Sequence, residues 1–152
     1  MDWVVFTLRS DGFGRKTTVT TSNSQALFLP MKILVAEDDK TLCELLGDVL
    51  ASAGHDVIMV NDGQNGVEMC QKVQFDLAIV DIYMPRKDGL EMIQHIKRNA
   101  LCKHIIAMTG MTHVGSWPVQ AAMALGADAV LEKPFSFDDL LAAVGQYRPV
   151  LH

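Results

Sequence analysis

From Lys32 onward, short apolar runs alternate with amphipathic stretches five times. The runs Ile33–Ala36, Asp56–Val60, Asp76–Asp81, His104–Thr109 and Ala129–Glu132 are rich in Ile, Val, Leu and Ala and lack the apolar–polar alternation of a half-exposed strand. Strands of that kind are buried on both faces, which requires a parallel sheet covered by helices. Between the first two runs, Leu42, Leu45, Leu46, Val49, Leu50 and Ala53 recur at helical spacing, and Gly54 supplies a stop. The same reading predicts helices after Asp62-Gly63, near Gly89–Asn99 and from about Pro118 to Leu125. A final helix lies behind the caps Ser136 and Asp138, with Leu140, Leu141, Val144 and Tyr147 as its apolar stripe. The prediction is an α/β fold, (βα)5, built on a doubly wound parallel sheet.

The first 30 residues lack long apolar runs, and Ser and Thr are frequent between Thr7 and Ser24. They are expected to form a poorly ordered extension (1–30), before a folded domain over 31–148 and a short tail over 149–152. A competing reading sees Trp3–Leu8 and Thr17–Thr21 flanking Asp11-Gly12, a hairpin-turn dipeptide. Met31 also offers an alternative translation start.

With 152 residues, 49% of them hydrophobic, the chain suits one well-packed domain. A net charge of −5 without a block of Lys or Arg speaks against nucleic acid or an anionic membrane as a partner. No apolar run reaches the roughly 20 residues of a membrane span, so no membrane insertion is expected. Cys43, Cys70 and Cys102 are odd in number and lack C-x-x-C spacing. They are read as small core residues in a reducing cytoplasm.

The candidate chemistry lies where the apolar runs end. Glu37-Asp38-Asp39 follows the first run, Asp81 closes the third, and Thr109 and Lys133 end the fourth and fifth. In an open α/β sheet, ligands sit beyond the carboxyl ends of the strands. Taken singly, each residue has an ordinary role: Asp81 as a loop cap, Glu37 and Asp38 at a helix start, Thr109 as a β-branched strand residue, Lys133 as a solvated lysine. Together they change the reading. Clustered carboxylates repel one another, and a hard cation with oxygen ligands, Mg²⁺, relieves that repulsion. An ionised aspartate can attack phosphorus without a base, an ammonium is a point charge for a phosphoryl oxygen, and a hydroxyl can donate to the same group.

At these strand ends, Leu34-Val35-Ala36-Glu37-Asp38-Asp39, Asp81-Ile82-Tyr83-Met84-Pro85 with Asp88-Gly89, Thr109-Gly110, Gly126-Ala127 and Lys133-Pro134-Phe135 stand in order. From about Met31 to Tyr147 the chain resembles the receiver domain of two-component response regulators. The resemblance implies a flavodoxin-like sheet of strand order 2-1-3-4-5 and Asp81 as phosphoacceptor. It implies Mg²⁺ held by Asp38, Asp81 and the backbone carbonyl of Tyr83, with Glu37 acting through water. Thr109 and Lys133 would contact the phosphoryl group, and the Lys133–Pro134 bond would be cis. The partners implied are a histidine kinase or a histidine phosphotransfer protein upstream and an effector protein downstream. The function expected is phosphorylation-dependent protein binding by a stand-alone, chemotaxis-type regulator; the alternative is a phosphorelay intermediate. An enzymatic rival, an aspartyl-nucleophile phosphatase, typically carries a second aspartate two residues after the first, where this chain has Tyr83. A binding module that never turns over phosphate would not need the full residue set. Two departures from the family stand out. Val130 takes the place of the usual switch aromatic three positions before the lysine, and the link Gly110–Trp117 is long and followed by Pro118. Tyr83 and Met111, each two residues beyond a site residue, offer no carboxylate or amide to orient water.

Overall fold

Strands whose central positions are apolar on both faces have no face to show to water, and the chain resolves this by layering helices on both sides of them. The computed structural model describes residues 5–10, 16–21, 27–84, 86–110 and 117–151. In chain order the elements are β1 (Val5–Ser10), β2 (Lys16–Thr21), β3 (Leu27–Phe28), β4 (Lys32–Ala36), α1 (Lys40–Ser52), β5 (Asp56–Val60) and α2 (Gly63–Lys72). There follow β6 (Phe75–Asp81), α3 (Gly89–Arg98), β7 (Cys102–Thr109), α4 (Trp117–Leu125), β8 (Ala129–Glu132), α5 (Phe137–Gly145) and β9 (Val150–Leu151).

The main sheet has the order β5-β4-β6-β7-β8, all parallel. Numbered among themselves, these five strands run 2-1-3-4-5, the expected flavodoxin-like order. Successive residues face opposite layers, as the strand period of two requires. Leu34, Ala78, Val80, Ile105 and Ala107 join a core with Met92, Ile93, Ile96 and Ala122 from α3 and α4. Ile33, Val35, Leu77, Ile79, Ile106 and Met108 join the other with Leu46, Leu50, Leu140 and Val144 from α1 and α5. Cys43 and Cys70 are buried and all three thiols are free, in keeping with their reading as core residues. Among the described residues, no helix is long and apolar enough to cross a membrane.

Four helices start at side-chain caps, each worth about 1 kcal/mol. Asp39, Asp62 and Asp88 accept from the amides of Leu42, Asn65 and Glu91. Ser136 forms a capping box with Asp139, while Asp138, expected as a cap, lies in the first turn of α5. Strand β7 begins two residues before its expected start because Cys102 pairs in register with the fully buried Phe75. Helix α4 begins at Trp117, which puts Pro118 in the first turn, where its missing N–H costs nothing.

The chain ends depart from the expected extension and tail. Strands β1 and β2 pair antiparallel from Val5↔Thr21 to Ser10↔Lys16, as the hairpin reading has it; the Asp11-Gly12 turn itself lies outside the described residues. The hairpin does not stand alone. It belongs to a second, antiparallel sheet of order β1-β2-β3-β9, in which the tail contributes β9 through Leu27↔Leu151 and Phe28↔Val150. A lone hairpin is marginal in water, and two added strands supply the neighbours it needs.

This second sheet meets the domain beside His55. The Met31 amide donates to His55 Nδ1 at 3.2 Å, Arg148 Nη2 donates to the Ala53 carbonyl at 3.0 Å, and the Arg148 guanidinium lies 5.8 Å from the Phe28 ring centroid. Burial, together with the nearby Arg148 charge, lowers the His55 pKa to about 4. The unfolded chain therefore binds a proton below about pH 6.5 that the folded chain refuses. The contribution of neutral His55 is complete above that pH and is lost as pH falls toward 4. Thermal unfolding between pH 7 and pH 4 is expected to show a steeper loss of stability for the native protein than for His55→Asn, which keeps an acceptor for the Met31 amide. Equal slopes would remove His55 from the account.

Candidate metal centre

Parallel register brings the strand ends to one edge. Ala36 pairs with Val80, Asp81 with Met108 and Thr109 with Glu132, so Glu37, Asp81, Thr109 and Lys133 emerge side by side. Backbone bonds continue past the strands and fix where each loop starts. The Glu37 amide donates to Val60 O at 3.1 Å, the Ile82 amide to Met108 O at 2.9 Å and the Lys133 amide to Thr109 O at 2.7 Å. Asn61 Nδ2 donates to the Glu37 carbonyl at 3.0 Å. The Lys133–Pro134 bond is cis.

Lys133 Nζ donates to Glu37 Oε2 at 2.6 Å and to Asp81 Oδ2 at 2.9 Å. The other carboxylate oxygens accept from backbone: Glu37 Oε1 from the Asp39 amide at 3.1 Å and Asp81 Oδ1 from the Tyr83 amide at 3.0 Å. Glu37, Asp81 and Thr109 are buried, whereas Asp38 is exposed. Each of Glu37, Asp38 and Asp81 offers an oxygen within 4.8 Å of the others. This all-oxygen set, open to solvent on the Asp38 side, fits a hard divalent cation that retains water, as Mg²⁺ does.

Burial pushes the Glu37 carboxyl up to about 7, and the Asp81 charge adds to the rise; the hydrogen bonds from Lys133 and the Asp39 amide pull the other way without cancelling it. Burial alone would lower the Lys133 pKa, but its bonds to Glu37 and Asp81 outweigh that and raise it, so it remains an ammonium.

The residues picked out in the sequence are thus brought together, with Tyr83 contributing its amide to Asp81 and a half-exposed side chain. Pro85, Met111 and the rest of 111–116 lie outside the described residues. Three contributors were not singled out: Asn61, the cap Asp62 and Arg86, which pairs with it. Gly89, named in the sequence as part of a motif, adds a steric constraint: its amide donates to Ile82 O at 2.8 Å and a Cβ there would overlap the Asp81 carbonyl. Asp88-Gly89 carried that signal, since glycine marks close backbone approach. The Asp62–Arg86 pair spans 24 residues and leaves no local signature.

The family model of the response regulator receiver domain matches residues 33–145. Among curated proteins, transcriptional regulatory protein DltR of Streptococcus agalactiae is 32% identical over 114 residues, covering 75% of this chain and 50% of that protein. Transcriptional regulatory protein PdtaR of Mycobacterium tuberculosis is 32% identical over 117 residues, covering 76% and 56%. The chain therefore spans about half the length of the curated relatives it matches. Among solved structures, chemotaxis response regulator CheY4 of Vibrio cholerae superposes with a TM-score of 0.72 at 26% identity, covering 78% of this chain and 99% of that one.

Cation binding requires ionised ligands, so protonation of Glu37 competes with it. With the Glu37 carboxyl near 7, Mg²⁺ affinity measured by calorimetry is expected to fall about tenfold from pH 8 to pH 6. Glu37→Gln should bind more weakly with a flatter profile, and an unchanged slope in that variant would assign the proton elsewhere.

Proposed function

The chain belongs to the response regulator receiver family, and from that premise we propose that Asp81 accepts a phosphoryl group from a phosphohistidine of a histidine kinase or histidine phosphotransfer protein. An Asp81 carboxylate oxygen attacks phosphorus, the bond from phosphorus to the imidazole nitrogen breaks, and the imidazole leaves as the acyl phosphate forms. No base is needed, because a carboxylate is already a nucleophile. The observation that carries this reading is the single ammonium of Lys133 shared by Glu37 and Asp81 inside the carboxylate cluster.

Receiver domains bind Mg²⁺, and here the residues that would hold it are Glu37, Asp38, Asp81 and the Tyr83 carbonyl. Bound there, the cation supplies charge neutralisation for the phosphoryl oxygens. In this reading Lys133, which bonds Asp81 Oδ2 at 2.9 Å, follows an oxygen of the incoming group, and Thr109 donates its hydroxyl to another. The phosphorylated protein then signals by binding an effector. The phosphatase alternative finds no second carboxylate at Tyr83. Tyr83 favours a second use of the same site, as a phosphorelay intermediate: a bulky residue beside the phosphoryl group obstructs in-line water and prolongs the acyl phosphate.

Acetyl phosphate with Mg²⁺ is expected to add one phosphoryl group to the native protein and none to Asp81→Asn, as read by intact mass. The same adduct on the Asn variant would move the acceptor elsewhere.

Once phosphorylated, the native protein is expected to lose phosphate several-fold more slowly than Tyr83→Asn, whose amide can orient water. A decay unchanged or slowed in the variant would end the shielding account.

A further inference from the structure

The loop from β6 to α3 carries Tyr83 and determines where its carbonyl lies relative to Asp81. Backbone bonds hold its two ends, from the Ile82 amide to Met108 O and from the Gly89 amide to Ile82 O. Between them, Met84 is buried in the core, and Arg86 reaches across to Asp62 at the start of α2. Lys87 presses its backbone carbonyl against Gly63, so closely that a Cβ there would overlap it.

Two features point to a role for Arg86 in the loop. The helix cap is formed without it: Asp62 Oδ1 accepts from the Asn65 amide at 2.8 Å and Oδ2 from Asn65 Nδ2 at 2.9 Å. Arg86 also sits at a φ of 67°, in the left-handed region where a side chain costs energy and glycine does not. What the arginine adds at this glycine-suited position is its guanidinium. That group is largely exposed, but its partner carboxylate is buried, so the pair ties the loop to a buried point at the start of α2.

We propose that Arg86 is a positioning residue for this site: paired with Asp62, it holds the β6–α3 loop where Tyr83 can offer its carbonyl, and Asp81 its carboxylate, to Mg²⁺. The proposal rests on the receiver reading for the identity of the cation. It acts through the loop, since Arg86 donates to neither Glu37 nor Asp81.

Arg86→Gly removes the guanidinium while fitting the backbone, so it separates positioning from folding. Without Mg²⁺ it is expected to unfold at or slightly above the native temperature, while its Mg²⁺ dissociation constant rises about tenfold, the lower end of what loss of a contact one step removed from the ligands costs a metal site. Asp62→Asn, which retains a cap oxygen, should raise the constant similarly, the double variant should be no worse than either single one, and Arg86→Lys should recover part of the loss. Unchanged Mg²⁺ affinity in Arg86→Gly, or additive losses in the double variant, would overturn the proposal. So would slower phosphorylation by acetyl phosphate at unchanged Mg²⁺ affinity, which would make Arg86 a donor-steering charge. Native protein that binds Mg²⁺ but takes no phosphate on Asp81 would overturn the receiver reading, while the affinities still decide the role of Arg86. Native protein that binds no Mg²⁺ would overturn both.

Discussion

Two carboxylates buried at one sheet edge are tolerable because one ammonium lies between them. Glu37 and Asp81 come from different strands, and Lys133 reaches both from a third, at 2.6 and 2.9 Å. Removing one partner from a buried pair strands a charge and costs about 3–5 kcal/mol, far more than such a contact is worth at a surface. Lys133 thus ties three strand ends together and leaves the carboxylates with capacity to spare. Their remaining oxygens face the Asp39 and Tyr83 amides, and the Asp38 side remains open to a cation. The ammonium supplies one positive charge to three carboxylates, and a bound divalent cation would make good the deficit.

That geometry is a product of register. The central strands are apolar on both faces, so a shift of one residue would exchange their buried side chains between the two cores. Ile33 and Val35 pack with α1 and α5, while Leu34 and Ala36 pack with α2 and α3, and the shapes of the two layers differ. The packing of buried residues that never touch the site therefore sets the level at which Asp81, Thr109 and Lys133 emerge. Gly89 extends the same control beyond the strand, because only a residue without a Cβ lets the start of α3 lie on the Asp81 carbonyl.

The parts of this arrangement legible in the sequence are those written in local pattern. Runs without alternation announced buried parallel strands, and a polar residue closing each run announced the edge where they would meet. The starts of β5 and β8 could be read to the residue, whereas β7 was read two residues short because its first pair, Cys102 with Phe75, depends on a partner strand. The same limit explains the chain ends. Nothing in Leu27-Phe28 or Val150-Leu151 points to a partner more than 120 residues away, and two-residue strands carry no period to detect. Asn61 and the pair Asp62–Arg86 were missed for that reason too: their meaning lies in which loops touch, and loops touch according to a topology that single residues do not encode.

One comparison shows why position in the fold, more than residue type, creates the site. Strand β6 begins near Asp76 and ends at Asp81, and each aspartate pairs with a lysine from another strand or its following loop, at 2.8 and 2.9 Å. The chemistry of the two pairs is the same and their surroundings are not. At the amino edge, Lys103 is 61% exposed and Asp76 29%, so water screens the pair and it contributes little to stability. At the carboxyl edge, Lys133 is 23% exposed and Asp81 7%, with the buried Glu37 alongside. Low exposure strengthens every electrostatic interaction there, and would strengthen those of the proposed cation and phosphoryl group in the same way. The amino-edge pair has the ions without the burial, and an aspartate elsewhere on the surface would have neither. In this sheet the carboxyl edge combines the two, as the proposed phosphoacceptor role of Asp81 requires.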